Sequence, residues 1–321
     1  MKKPVYLDYN ATTPIAPEVA EAMTPFIYTS FGNPSSFYSI GRQGKEAIEK
    51  ARIQVAGLIR CHPGEIFFTS GGTESNNHAI SGAAFANREA GRHIITSSIE
   101  HPAVTNVCRW LETCGSDVTY TGTDKYGAVD PAEIEKAIRP DTILVTVMHA
   151  NNEIGTIQPI NDIAAITKKN NILFHTDAAQ SAGKIKVDVS SGMIDLLTMA
   201  GHKLYSPKGI GVLYLREGVK IRNLMHGGEQ ENGVRPGTEN VIHIVALGKA
   251  CEIAGRDLEE THNNLLSTRE KLLSGLREKL GSRVRVNGNH ANTLPNTLSL
   301  AFKDVGAHMH APFARVQQEM Y

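Results

Sequence analysis

Leu196-Leu197-Thr198-Met199-Ala200-Gly201-His202-Lys203 runs from an apolar stretch straight into a glycine, a histidine and a lysine. Ile172-Leu173-Phe174-His175-Thr176-Asp177 repeats the pattern and ends on an acid. From about Pro14 to Gly255 this theme recurs: a short apolar or β-branched run, a polar or glycine-rich turn, then a helical pattern. The strand candidates are Glu65–Thr69, His93–Ser97, Thr142–Met148, Ile172–His175, Leu196–Met199 and Gly211–Leu215. Strands alternating with helical stretches imply βαβ units, hence an α/β fold with a mainly parallel sheet.

In such sheets ligands bind outside the carboxyl ends of the strands, so the residues following each run carry the functional signal. Five runs end in reactive or polar residues. Phe67-Phe68-Thr69 leads into Ser70-Gly71-Gly72-Thr73, Ile94-Ile95-Thr96 leads to Glu100-His101-Pro102, and Thr142–Met148 leads to His149-Ala150-Asn151-Asn152-Glu153. The other two end at Asp177 and Lys203. An amine where a buried strand meets a loop is desolvated, which lowers its pKa and makes it a usable nucleophile. A lysine for a Schiff base and an aspartate for a pyridinium nitrogen are what pyridoxal 5'-phosphate asks of a protein.

Each residue also has a plainer reading. Ser70–Thr73 before a helix suits a phosphate, with Gly72 allowing close approach and Thr73 adding a hydroxyl, yet such turns are often only structural. His101 before Pro102 could cap a helix; beside a lysine and an aspartate it also suits stacking on an aromatic cofactor. Asp177 could be an N-cap, and Asn152 and Gln180 ordinary turn residues, or donors to a cofactor oxygen or a substrate carboxylate. No GxGxxG follows a strand and no GK[ST] follows the glycines, so nucleotide-dependent readings lose ground. The loop His226–Asn240 is polar and glycine-rich, and reads as part of a site or a subunit contact rather than an idle connector.

The 321 residues suffice for one large domain and a smaller one. Lys+Arg and Asp+Glu balance at 33 each, so no global field favours nucleic acid or an anionic membrane. No apolar stretch reaches spanning length and no signal peptide is read at the start, which gives a cytoplasmic expectation. Cys61, Cys108, Cys114 and Cys251 form no CxxC pair, so neither zinc nor a disulfide framework is expected. From about Asp257 to Leu280 the pattern becomes a helix, with Leu258, Leu265, Leu266, Leu272, Leu273, Leu276 and Leu280 near helical spacing, most of them a core-facing stripe. Asn287–Ala291 reads as a turn and Thr297–Phe302 as a strand. The expected division is a large domain over 15–255 and a small α+β domain from 1–14 and 256–321.

Together these segments resemble the cysteine desulfurase and selenocysteine lyase group of class V aminotransferase-like enzymes. The matching stretches are Tyr6–Pro14, Phe31–Ser36, Ser70–Asn77, Glu100-His101, Asn151–Gly155, Asp177–Ser181, Gly201–Lys203, Arg235–Asn240 and Leu294–Thr297, in family order. The resemblance implies a fold-type I transferase with a seven-stranded sheet covered by helices on both faces. It implies that Lys203 holds pyridoxal 5'-phosphate, Asp177 keeps the pyridine nitrogen protonated, His101 stacks on the ring and Gln180 bonds the phenolic oxygen. Gly72, Thr73 and His202 would serve the phosphate, and Asn152 would lie beside cofactor and substrate carboxylate. Thr238 would reach the partner subunit's phosphate in a homodimer. The implied reaction takes sulfur from L-cysteine, or selenium from selenocysteine, leaving alanine and supplying an acceptor protein in iron–sulfur cluster assembly.

Two departures accompany the match. Ala200 stands where many desulfurases carry a phosphate-binding serine. The match ends at Phe302, and Lys303–Tyr321 holds no cysteine to correspond to the family's nucleophilic loop, nor is a persulfide role assigned to the four cysteines present. The alternative expectations are a cofactor-binding pseudoenzyme that dimerises with an intact partner, or a lyase on a related amino acid that needs only Lys203. Apolar surface at Leu298, Leu300 and Phe302 is expected to make the chain depend on a partner. His308 and His310 read as solvated rather than as metal ligands.

Overall fold

A computed structural model describes residues 5–303 and 305 of the chain. Seven strands form the main sheet: β1 (Ile66–Thr69), β2 (His93–Ser97), β3 (Asp117–Thr121), β4 (Thr142–Thr146), β5 (Leu173–Asp177), β6 (Leu196–Ala200) and β7 (Gly211–Leu215). Their order is β1-β7-β6-β5-β4-β2-β3. The block from β6 to β3 is parallel throughout, while β7 runs antiparallel to both β6 and β1. Chain order reverses between β4 and β2, and a crevice opens at such a reversal.

Strands buried on both faces read as continuous apolar runs, and the two-residue side-chain period sorts them between two cores. Ile95, Val145, Phe174, Leu197 and Val212 face one side, where α1 (Pro17–Tyr28), α2 (Ser39–Ile59), α5 (Pro131–Ala137), α6 (Ile160–Lys169) and α7 (Val241–Arg256) cover them. Ile94, Leu144, Leu196 and Leu213 face the other, under α3 (Gly72–Ala86) and α4 (Pro102–Thr113). Both faces are therefore layered by helices, as expected. Among the described residues no helix is long and apolar enough to cross a membrane.

The last described elements are α8 (Leu258–Leu280) and an antiparallel pair, β8 (Val284–Val286) and β9 (Leu300–Phe302). Here the structure departs from the expected leucine stripe. Leu273 is fully buried and joins Val284, Leu298 and Leu300 in a small cluster, whereas Leu272 is exposed and the other five leucines are half-buried. The helix covers a narrow two-stranded unit, which buries less of its surface than a full sheet would. Two strands escaped the sequence reading. β3 lies at the sheet's edge and only Thr121 in it is buried, so it lacks an apolar signal; β8 has three residues. Cys108 lies buried in α4, and Cys114 is that helix's C-cap. His308 and His310 lie outside the described residues.

Candidate active site

Beyond the strand ends lies a cavity of about 690 Å³, lined among others by Gly72, Thr73, His101, Asn152, Asp177, Gln180, His202 and Lys203. All of the site residues read from the sequence meet there except Thr238. That size suits a cofactor or small ligand. The sheet explains the convergence. The ends of β5 and β6 are paired neighbours and carry Asp177 and Lys203, the ends of β2 and β4 carry His101 and Asn152, and the turn after β1 carries Gly72 and Thr73.

Lys203 closes a single 3₁₀ turn, Gly201–Lys203, directly after β6. Its Nζ donates to Ala11 O at 2.8 Å and also to Asn10 O. Burial lowers its pKa, while the Asp8 and Asp177 carboxylates oppose that shift. Asp177 is buried, and Asn76 Nδ2 donates to its Oδ2 at 2.7 Å and Ala179 N to its Oδ1 at 2.9 Å. Burial nonetheless raises its pKa. A carboxyl so placed gains most from a cationic partner within the cavity.

The capping reading of His101 holds, and the residue also faces the cavity. It is the N-cap of α4, its Nδ1 accepting from Ala103 N at 3.1 Å, and it lines the cavity. With Nδ1 accepting, the ring proton sits on Nε2. His202 shares a hydrogen bond of 3.2 Å with Thr12 Oγ1, and burial followed by the charges of Lys203, Lys208 and Lys184 lowers its pKa to about 4. It is a neutral hydrogen-bonding group at neutral pH. Gln180 Nε2 donates to Asn10 O at 2.9 Å. Asn152 is held through its backbone, whose carbonyl accepts from Asn10 Nδ2 at 3.1 Å.

Three features of the site were not read from the sequence. Asn10 links everything: besides those contacts, its Nδ2 donates to Thr297 Oγ1 at 2.9 Å and its Oδ1 accepts from Asn296 Nδ2 at 2.7 Å. Asn76 supports Asp177 from one turn inside α3. Glu100 is buried, accepts from Ser97 Oγ at 2.5 Å and Met148 N at 2.9 Å, and is pushed by burial to about 8. It thereby ties the β2 end to the β4 end behind His101. Asn10 and Asn76 fall inside quoted motifs, but nothing in their spacing shows a hub or an acid's donor.

Thr238 is exposed and lies on a separate hollow of about 240 Å³ with Ser70, Arg235 and Glu239. The loop that carries it is ordered by ion pairs. Arg52 of α2 grips the buried Glu231 through both nitrogens, at 2.7 and 2.9 Å, and Glu231 Oε2 also accepts from Phe68 N at 2.8 Å. Arg235 pairs with Glu74 in the first turn of α3 at 2.8 Å. The reading of His226–Asn240 as something other than an idle connector is consistent with this anchoring.

The residues present fit pyridoxal phosphate. α3 starts at Gly71 without a side-chain cap, so its first-turn N–H groups need an external acceptor. A Cβ at Gly72 would stand 3.3 Å from Ala200 Cβ, crowding that cradle. Asp177 offers the buried acid for a pyridinium, and Lys203 the amine. Among the described residues no group of three or more His, Cys, Asp or Glu could hold a metal.

The Aminotransferase class-V family model matches residues 5–317. The chain belongs to that family, within its cysteine desulfurase group. It is 52% identical over 301 residues to the cysteine desulfurase IscS of Methanosarcina thermophila, covering 94% of this chain and 74% of that protein. The cysteine desulfurase IscS of Dictyoglomus turgidum is 50% identical over 302 residues, covering 94% and 76%. Among solved structures, a NifS-like protein superposes with a TM-score of 0.91 at 42% identity, over 94% of this chain and 83% of that one. A structure described as SspA in complex with cysteine gives 0.85 at 41% identity, over 94% and 84%. The chain thus spans about three quarters of the length of its curated relatives.

Proposed function

We propose that this protein is a pyridoxal-phosphate-dependent cysteine desulfurase that takes the sulfur of L-cysteine and leaves alanine. The observation carrying this is the meeting of Lys203, Asp177, His101, Gln180, Asn152, Thr73 and His202 around one cavity at the strand ends. When bound, pyridoxal phosphate supplies an electron sink for charge developing at the substrate's α-carbon. Lys203 anchors it and carries a proton at that carbon. Asp177 holds a proton at the pyridine nitrogen, favoured because its buried carboxyl makes no direct ion pair among the described residues and Lys203 acts on it only at longer range. His101 covers the ring face, Gln180 donates to the phenolic oxygen, and Thr73, His202 and the α3 N-terminus bind phosphate. Asn152 orients the substrate carboxylate.

Sulfur leaves the β-carbon for a thiol, forming a persulfide while alanine is released. None of the four cysteines lines the cavity. Burial holds Cys61, Cys108 and Cys251 at about 12, far from the thiolate form, and Cys114 caps α4. The acceptor in this reading is a thiol other than these four, and the sulfur goes on to iron–sulfur assembly. Four unbridged cysteines suit a reducing cytoplasm. The exposed Thr238, on its anchored loop, is read as serving the partner's phosphate in a homodimer.

Alanine formation from L-cysteine by the cofactor-loaded protein, with dithiothreitol as acceptor, tests this. Lys203→Ala should lower the rate by about a thousandfold or more, as loss of a covalent anchor does. Wild-type protein that binds the cofactor yet forms no alanine would overturn the assignment.

A further inference from the structure

Lys184 stands out among the charged groups that this mechanism leaves unused. It is only 7% exposed, and the charge acting on it is the like charge of Lys203. A buried amine without a carboxylate beside it is costly to the fold, and an apolar side chain of equal length would be cheaper. Its position is nevertheless built. Gly183 takes φ +73°, and a Cβ there would fall 2.3 Å from Leu204 Cδ2 and 3.0 Å from Ala254 Cβ. Only glycine suits that turn, and the turn carries the next side chain inward. Lys184 N donates to Ser181 O at 3.0 Å, closing it.

Among the described residues the inward amine meets one acceptor side chain. Lys184 Nζ donates to Gln180 Oε1 at 3.1 Å, and Gln180 Nε2 donates to Asn10 O at 2.9 Å. The two ends of a glutamine amide have nearly the same shape, so its neighbours decide which end faces where. An ammonium can only donate, which fixes Oε1 toward Lys184. A backbone carbonyl can only accept, which fixes one N–H toward Asn10. The second N–H is then the group left for the cavity.

We propose that Lys184 is a positioning residue that locks the Gln180 amide so that it presents a hydrogen-bond donor, never an acceptor, to an anionic oxygen in the cavity. This rests on the reading of the cavity as a pyridoxal phosphate site. Burial and Lys203 together bring the amine to about 7; in its neutral form it keeps N–H groups to donate, and the Asn10 carbonyl, which can only accept, keeps Gln180 Oε1 facing it in both forms.

The test is a double-mutant cycle on the equilibrium dissociation constant for pyridoxal phosphate, read by visible absorbance. It uses wild type, Lys184→Met, Gln180→Ala and the double variant, with far-ultraviolet circular dichroism of each apoprotein as the folding check. Lys184→Met should weaken binding about tenfold, the worth of one well-made hydrogen bond, and shift the chromophore's spectral pKa. In the Gln180→Ala background the same change should have no further effect. Equal loss in both backgrounds would mean that the lysine acts on the fold generally and would overturn the proposal. If Lys184→Met does not fold, Lys184→Arg, which like an ammonium can only donate, enters the same cycle. It should stay near wild type in affinity, and a tenfold loss that persists without Gln180 overturns the proposal equally. Wild type that binds no pyridoxal phosphate defeats the site reading itself; binding with an additive cycle defeats only the role of Lys184.

Discussion

The cavity is built from two kinds of chain. Asp177 ends, and Lys203 and His101 follow, strands flanked by neighbours on both sides, and Thr73 lies in the first turn of the helix after the edge strand β1. The segment around Asn10, the Asn296–Thr297 turn and the loop bearing Thr238 come from outside the sheet and are tied on by side chains. Asn10 bonds Asn152, Thr297 and Asn296, and Thr13 N donates to His202 O at 3.0 Å. The loop leans on Arg52–Glu231 and Arg235–Glu74. The difference separates chemistry from enclosure: reacting groups sit on the stiff frame, and segments that close the site hang from discrete contacts. Damage to the first should affect reaction more than fold; damage to the second should affect fold or affinity first.

Acid should probe the frame most broadly. Burial lowers His149 to about 4, His175 to about 3 and His202 to about 4, each from 6.5. His175 lies in the middle of β5, and His149 and His202 follow β4 and β6. A base whose folded pKa is depressed gains protons on unfolding, so its contribution is complete above pH 6.5 and is lost as pH falls toward 4. Glu100 and Asp177, both raised, oppose that slope, while His78 and His93, also lowered by burial, add to it. Urea midpoints of the cofactor-free protein should therefore fall between pH 6.5 and 4, and a flat profile would contradict the buried neutral histidines.

Arg52→Met is the largest single change expected in the hung segments. It leaves Glu231 buried without its partner and should cost about 3–5 kcal/mol of stability. A denaturation midpoint unchanged from wild type would show that the loop does not depend on this pair. Asp177→Asn removes the buried acid while preserving shape and should lower kcat/KM for alanine formation about a hundredfold. Its thermal midpoint should hold or rise, since a costly buried carboxyl is gone. Asn296→Ala, at the other end of the comparison, removes one hydrogen bond to Asn10 and should cost about 1 kcal/mol with kcat nearly unchanged. A large kcat loss there would blur the division between frame and enclosure.

The division also governs what the sequence reveals. Lys203, Asp177, His101 and Thr73 are legible because an apolar run followed by a reactive residue is local, and the sheet gathers strand ends by rule. Asn10 is not, since its partners Asn296 and Thr297 lie 286 and 287 positions away and join it only through packing. Lys184 reads as one more lysine until Gly183 and Gln180 are seen to hold it. Glu231 reads as a loop acid until Arg52 is seen beneath it. β3 shows the converse limit: an edge strand half in solvent needs no apolar alternation, so periodicity cannot find it. The α8 leucines were overread because spacing marks a face without saying how much of it is covered.

A half-buried lysine, Lys203, and a buried one, Lys184, near one cavity make a direct test possible. The protein should be loaded with pyridoxal phosphate, reduced with borohydride, digested and mapped by mass spectrometry. The label should fall on the peptide containing Lys203 and be absent from that containing Lys184. A label on Lys184, or on surface lysines alone, would contradict the account of the strand-end cavity as the reaction site.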